Sequence, residues 1–182
     1  VLALHRIFNI EKGRTTELPL DIRQDQSKAT VIGTFGSESE YTPYDINIKK
    51  SGTPKTLLSQ TGRGFYVLGV LGVGQEPTNH ALHDIAKVQE TFNKWERPFV
   101  LLFESQSDAD KFKIKDFGTL SLNTSFGIDD NGKILKQIVN NMKLSNRTQL
   151  PIFIIADTFD RVVFISQGYT IGLGEQIKNI ID

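Results

Sequence analysis

The sequence predicts an α/β fold that follows a small antiparallel β region. Within the first sixty of the 182 residues, apolar and polar residues alternate from Leu18 to Ile22 and from Tyr44 to Ile48. This period of two is typical of strands that bury one face. Phe65 to Leu71 is instead apolar throughout, and residues with helical spacing follow it. Such a change is typical of a strand covered on both faces and its crossover helix.

The antiparallel β region is predicted to occupy residues 1–52. Ala29 to Phe35 adds a third apolar stretch to the two alternating segments. The run Ser51-Gly52-Thr53-Pro54 marks the predicted boundary, because glycine and proline interrupt regular structure. The alternation is compatible with two arrangements: the remnant of a preceding β-sandwich domain, or strands added to the edge of the next sheet.

Residues 53–182 are predicted to form the α/β domain. Its first helix has Pro77 in the first turn, Pro98 beyond its end and apolar residues at every third or fourth position: Leu82, Ile85, Val88, Phe92 and Trp95. Phe99 to Phe103 is the next predicted strand. The remaining predicted elements are a short helix from Ser107, a turn at Asp129 to Gly132 that caps a helix over Ile134 to Met142, strands at Ile152 to Ala156 and Val162 to Ser166 joined by a tight turn at Asp157 to Asp160, and a final helix over Leu173 to Ile181.

The overall composition argues against several classes of function. Twenty-one basic residues balance twenty-one acidic ones, so no net charge attracts nucleic acid or an anionic membrane. No stretch reaches the roughly twenty apolar residues needed to span a bilayer. Val1 to Leu4 lacks the features of a signal peptide, and a start without methionine predicts that the chain is a piece of a longer protein.

The chain contains no cysteine. This excludes thiol–disulfide exchange, because that reaction requires attack of a thiolate on sulfur. No cofactor is predicted either. Gly69, Gly72 and Gly74 follow neither the dinucleotide-binding pattern nor the phosphate-binding loop with its lysine, so they are interpreted as sites of close strand–helix packing.

Three short segments carry a resemblance to a known family. They are Gln75-Glu76-Pro77-Thr78 after the first apolar strand, Leu150-Pro151 before a later strand, and Gly168 after the last strand. From about residue 63 to its end the chain resembles the thioredoxin-like superfamily, in particular TlpA/peroxiredoxin-like members. The resemblance implies a three-layer α/β/α core and a cis-proline loop at Pro151. It also implies a redox-inactive domain, since Gln75 and Thr78 stand where the family carries its two motif cysteines.

A narrower resemblance rests on two neighbouring phrases, Gly62 to Phe65 and Gly72 to His80. They are similar to the C-terminal module of large bacterial proteins, chiefly from Bacteroidetes, that carry a transglutaminase-like domain upstream. The resemblance implies an accessory role in a larger bacterial protein and an extracytoplasmic location. The catalytic chemistry of the upstream domain is not implied for this chain.

The leading functional hypothesis is a non-catalytic module that binds a peptide or protein, or that packs against an upstream domain of the same polypeptide. In redox-active relatives the motif loop and the cis-proline loop together bind an extended peptide. The resemblance implies a binding surface at the matching positions: Gln75, Glu76, Pro77, Thr78, Asn79, His80, Leu150 and Pro151. A module that only completes a scaffold, with no ligand of its own, is an alternative.

A metal-dependent, non-redox enzyme is the alternative from another class of function. Glu76, His80 and His83 are spaced i, i+4 and i+7, so they fall on one face of the predicted helix. Carboxylate and imidazole groups in such an arrangement are able to bind a metal ion. The same three residues are also compatible with the solvated side of an ordinary helix.

Overall fold

The computed structural model describes residues 30–34, 41–44, 64–95, 97–117, 120, 124–145, 149–157, 159 and 161–181. From Val31 onward they belong to one compact unit. The described strands are β1 (Gly33–Thr34), β2 (Thr42–Pro43), β3 (Phe65–Leu71), β4 (Phe99–Phe103), β5 (Thr124–Ile128), β6 (Ile152–Asp157) and β7 (Arg161–Gln167). The described helices are α1 (Glu76–Lys87), α2 (Gln89–Trp95), α3 (Gln106–Lys111), α4 (Lys133–Asn141) and α5 (Leu173–Ile181), with short 3-10 segments at Ile114–Phe117 and Asp130–Gly132.

The described strands form one mixed sheet in the order β1-β7-β6-β3-β4-β5-β2. Strands β3, β4 and β5 are parallel, whereas β6 is antiparallel to β3 and β7 is antiparallel to β6. All residues of β4 and β6 are buried. The α/β fold is therefore confirmed, and the continuous apolar runs do mark strands that are covered on both faces.

Two very short strands lie at the opposite edges of this sheet. In β1, Gly33 pairs with Val162 of β7, and in β2, Thr42 pairs with Ile128 of β5. The described part of the N-terminal region thus adds to the edges of the α/β sheet, which was one of the two arrangements the alternation allowed. The predicted strand at 18–22 lies outside the described residues, and the domain division at residue 52 stays a prediction.

Helices cover both faces of the sheet and produce three layers. One face carries a cluster to which helices α1, α2, α3 and α5 contribute buried residues, including Leu82, Phe92, Ala109 and Ile177. On the other face the buried helical residues of the second cluster all come from α4, which contributes Ile134 and Ile138. Alternate residues of the central strands point to the two clusters, as the pleat of a strand requires.

One sequence prediction about this part of the fold was wrong, and one strand was missed. The single helix predicted through Trp95 is two helices, because Val88 has non-helical backbone angles between α1 and α2. Gly174 of α5 lies against Val88 and Asp84 at this point, and a Cβ atom on Gly174 would come within 2.5 Å of the Asp84 carbonyl oxygen. Strand β5 was not predicted at all, since Ser125 and Gly127 interrupt its apolar pattern.

Candidate functional site

The loop between β3 and α1 contains the predicted motif positions. Gly74 has a positive φ of 79°, and the Gln75 amide donates a hydrogen bond to the Gly72 carbonyl at 3.1 Å. Glycine adopts such a backbone at little cost, so the chain can turn sharply here. Gln75 has extended backbone angles and precedes α1, while Pro77 stands in the first turn as predicted.

Thr78 stabilises the backbone of this loop through its buried side chain. Its side chain is only 1% exposed, and its Oγ1 atom accepts a hydrogen bond from the Gly72 amide at 3.0 Å. A buried polar atom needs such a partner. Thr78 therefore supports the loop and does not contribute an exposed group to a binding surface.

The loop before β6 lies at the same edge of the sheet. Ile152 pairs with Val70 near the end of β3, which places the preceding residues close to the motif loop. The Leu150–Pro151 peptide bond is cis, as the family resemblance implied. The Gly168 amide donates to the carbonyl oxygens of Gln149, at 3.0 Å, and Pro151, at 2.9 Å. The glycine after β7 thus holds the cis-proline loop in place.

An open groove, with a volume of about 760 Å³, joins these two loops to helix α4. We call it the α4 groove. It is lined by Gln75 and Pro77 from the motif loop, Gln149 and Leu150 from the cis-proline loop, Leu135, Lys136, Val139 and Asn140 from α4, and by Glu104 and Ser145. The lining combines apolar side chains with amide groups and two charged side chains.

The N-terminus of α4 is fixed by a buried carboxylate. Asp129 is 1% exposed, and its two oxygens accept hydrogen bonds from the amides of Ile134, at 2.8 Å, and Leu135, at 2.9 Å. The Asp129 amide donates to the carbonyl of Phe103 at 2.9 Å, which ties this residue to β4. The predicted turn at 129–132 does cap the helix, and it positions the wall of the α4 groove.

Glu104 follows β4 directly and reaches the α4 groove. Glu104 is exposed as a residue, but partial burial of its carboxyl group raises the pKa above the ordinary value of 4.5, and the nearby carboxylates of Asp108 and Asp129 raise it further. Both causes disfavour the charged form of Glu104. No sequence pattern predicted a role for this residue. The available signal was its position immediately after a buried parallel strand, at the carboxyl edge where α/β sheets place their sites.

The predicted binding surface is divided in the structure. Gln75, Pro77 and Leu150 line the α4 groove, whereas Thr78 and Pro151 are buried. Glu76 and His80 form a separate, exposed pair, with His80 Nε2 at 3.1 Å from Glu76 Oε1. The remaining predicted residue, Asn79, is half-buried, and its amide donates to the Gln75 carbonyl.

The metal hypothesis needs correction. The His80 ring lies 5.1 Å from the ring of Tyr169, while the His83 ring lies 5.2 Å from that of Phe117. The two histidines therefore contact different elements. Within the part of the chain that the structure describes, no three histidine, cysteine, aspartate or glutamate side chains are grouped to hold a metal ion. The spacing of Glu76, His80 and His83 along one helical face did not produce a site.

None of the described helices is both long and apolar enough to cross a membrane. No family model and no curated protein matches the sequence. Solved structures do match the fold.

A secreted disulfide oxidoreductase from Mycobacterium tuberculosis has a TM-score of 0.54 at 13% identity, over 79% of this chain and 94% of that one. The thioredoxin domain of a thiol-disulfide oxidoreductase from Bacteroides vulgatus has a TM-score of 0.54 at 11% identity, over 82% of this chain and 98% of that one. A thioredoxin-like protein from Bacteroides caccae has a TM-score of 0.52 at 13% identity, over 88% of this chain and 52% of that one. At these identities the similarity shows the fold alone. The fold of this chain is thioredoxin-like.

Proposed function

We propose that this chain is a redox-inactive, thioredoxin-like accessory module that binds an extended segment of a protein in the α4 groove. The observation that carries the proposal is the groove itself, in which the motif loop, the cis-proline loop and α4 meet. Loss of the motif cysteines removes the redox reaction but does not require loss of the groove, so a peptide can still bind there.

The chemistry at the motif positions supports a loss of redox activity. The chain has no cysteine, and Gln75 and Thr78 occupy the positions at which thioredoxin-like proteins carry them. Thr78 is buried and its hydroxyl oxygen supports the loop backbone. Gln75 is exposed and lines the groove. An amide side chain cannot transfer electrons, but it can donate and accept hydrogen bonds.

The lining of the groove suits an extended peptide. Leu135, Val139 and Leu150 offer apolar contacts, and the amides of Asn140 and Gln149 lie among them. An extended peptide presents backbone N–H and C=O groups that pair with amide side chains, while its own side chains occupy apolar positions. The volume of about 760 Å³ falls within the range of about 300–1,000 Å³ that is common for ligand sites.

The partner is proposed to be a peptide or protein segment, either from another protein or from an upstream domain of the same polypeptide. If the partner is an upstream domain, the module has a scaffolding role, and we propose that the larger protein is a transglutaminase-like protein of the kind found in Bacteroidetes. Calorimetric titration of this chain with the separately expressed upstream part of its parent polypeptide tests this proposal. Saturable heat supports interdomain packing, and its absence together with separate migration on a sizing column contradicts it.

Peptide binding is tested by titrating the full chain with a terminally blocked octapeptide library of neutral residues and following backbone amide resonances. We expect saturable shifts that are concentrated at Gln75, Asn140 and Gln149. Val139→Glu places a charge in the apolar wall and should weaken binding at least about tenfold, because the charge loses solvent when a ligand covers it.

Gln176→Glu, at an exposed position of α5, is the matched control and should bind like the parent chain. Asn140→Trp, also at an exposed position, fills the groove without a charge and serves if Val139→Glu does not fold. The proposal is wrong if no amide of the groove shifts at saturating peptide. It is equally wrong if both groove variants bind the library as tightly as the control.

A further inference from the structure

Glu104 gives the α4 groove a specific electrostatic character. It is the only acidic side chain among the described residues that line the groove, and it stands at the end of β4, between the ends of β3 and β5. Two further carboxylates, those of Asp108 and Asp129, lie close enough to raise the pKa of Glu104. Negative charge is therefore concentrated at this point of the wall.

The two neighbouring carboxylates accept hydrogen bonds from other groups of the chain. Both oxygens of Asp129 accept helix amides of α4, and Asp108 accepts a hydrogen bond from Ser105 Oγ at 2.9 Å. These contacts fix the two aspartates in place. Their charges act on any group that approaches Glu104.

One cation also lies in the described groove lining, and its ammonium group is hydrogen-bonded to a backbone carbonyl oxygen. Lys136 lies on α4, and its Nζ atom donates a hydrogen bond to the carbonyl oxygen of Asn131 at 3.0 Å. The charges that act on Glu104 from the described residues raise its pKa, and burial acts in the same direction. A positively charged group beside Glu104 would offset all of these effects.

We propose that the α4 groove selects an extended segment that carries an arginine or lysine side chain, whose cation pairs with Glu104. This inference rests on the proposed function. The aliphatic stem of such a side chain packs on apolar surface while its charged end reaches a polar partner. Leu135 and Val139 supply apolar surface in the same groove as Glu104. Charge complementarity thus identifies the occupant as a basic segment.

The test compares two blocked octapeptide libraries that are identical except for one central position. That position is arginine in one library and citrulline, its neutral isostere, in the other. Fluorescence anisotropy with the full chain measures the dissociation constant of each. We expect the arginine library to bind about fivefold more tightly, which corresponds to about 1 kcal/mol for a partly solvated ion pair.

Glu104→Gln should reduce this preference to less than about twofold, since it removes the charge and keeps the shape. Glu90→Gln makes the same change at an exposed position of α2 and should leave the preference intact. A thermal melt of each variant verifies that it is folded.

The outcomes separate this inference from the function on which it rests. If both libraries bind equally to the parent chain, or if Glu104→Gln retains the arginine preference, the basic-segment inference is wrong and the peptide groove stands. If neither library binds, both proposals are wrong. If a library with glutamate at the central position binds most tightly, the groove selects acidic segments and the assignment of Glu104 is overturned.

Discussion

The two faces of the sheet are covered in different ways. On one face, buried residues of four described helices enclose a cluster rich in phenylalanine, in which Phe103 lies within 5.8 Å of the rings of Tyr44, Phe112 and Phe126. On the other face, α4 is the only described helix that contributes to the buried cluster, whose members are mostly aliphatic. The α4 groove opens beside that single helix. A thin cover leaves space for a ligand, while a thick cover supplies stability.

The largest effect is expected on the thickly covered face. Phe103→Ala removes a fully buried ring that contacts three others, and should lower the free energy of unfolding by about 3–5 kcal/mol, because a cavity remains. Urea denaturation provides the measurement. Phe159→Ala is the control, since its ring is 57% exposed and faces the Arg161 guanidinium. It should cost less than about 1 kcal/mol. If both substitutions lowered the free energy of unfolding equally, Phe103 would contribute no more to stability than an exposed ring.

Asp129 connects helix α4, on the thinly covered face, to strand β4. Asp129→Ala leaves the amides of Ile134 and Leu135 without their acceptor, and should lower the free energy of unfolding by about 1–3 kcal/mol. Hydrogen exchange should also accelerate at these two amides. Asp116→Ala changes an exposed aspartate and should affect neither quantity. Unchanged exchange at Ile134 and Leu135 would show that the cap does not hold α4.

The sequence was informative where burial is continuous. Strands β4 and β6 are buried at every residue, so their apolar runs could be recognised without knowledge of the fold. Strand β5 could not be recognised, because Gly127 is required by a distant residue: a Cβ atom there would lie 2.1 Å from the ring of Tyr41. The break at Val88 likewise lies against a distant residue, Gly174, whose lack of a side chain allows the close approach.

In the candidate site, too, some residues could be predicted from a local pattern and others depend on contacts between distant parts of the chain. Gln75, Pro77 and Leu150 were identified by position in a motif, and they do line the groove. Glu104 and the α4 residues were not identified, because only the sheet order brings them beside the motif loop. Spacing along α1 suggested that Glu76, His80 and His83 act together, but only Glu76 and His80 pair, and the rings of the two histidines contact different elements. Local patterns predicted elements, and topology determined which side chains meet.

A smaller effect is expected at the edge of the thinly covered face. Tyr41 is buried, and its hydroxyl group has no hydrogen-bond partner among the described residues. Burial also raises the pKa of this phenol. Tyr41→Phe should leave the free energy of unfolding unchanged or raise it by up to about 1 kcal/mol, because an unpaired buried polar group is costly.

Tyr44→Phe is the comparison, since the Tyr44 hydroxyl donates to Asp110 at 3.1 Å on the surface. It should cost about 0.5 kcal/mol or less. Chemical denaturation of both variants gives the two values. A clear loss of stability in Tyr41→Phe would mean that its hydroxyl group has a partner outside the described residues.

The smallest effect concerns Glu104 and depends on pH. The folded-state pKa of Glu104 is raised above 4.5 by burial and by Asp108 and Asp129, so the folded protein binds this proton more tightly than the unfolded chain does. Glu104 therefore lowers stability progressively as pH rises from about 4.5 through the raised pKa.

Glu104→Gln removes the titrating group and should raise the free energy of unfolding at pH 7 by up to about 0.5 kcal/mol, a value reduced by solvent screening. The gain should vanish near pH 4, where the carboxyl group is protonated in both states. Glu90→Gln, on the exposed side of α2, should show no such dependence. Urea denaturation of the three proteins across this range provides the measurement. A gain that is the same at both pH values would indicate a change in packing, whereas a loss at pH 7 would mean that a cation already stabilises Glu104 in the unliganded chain.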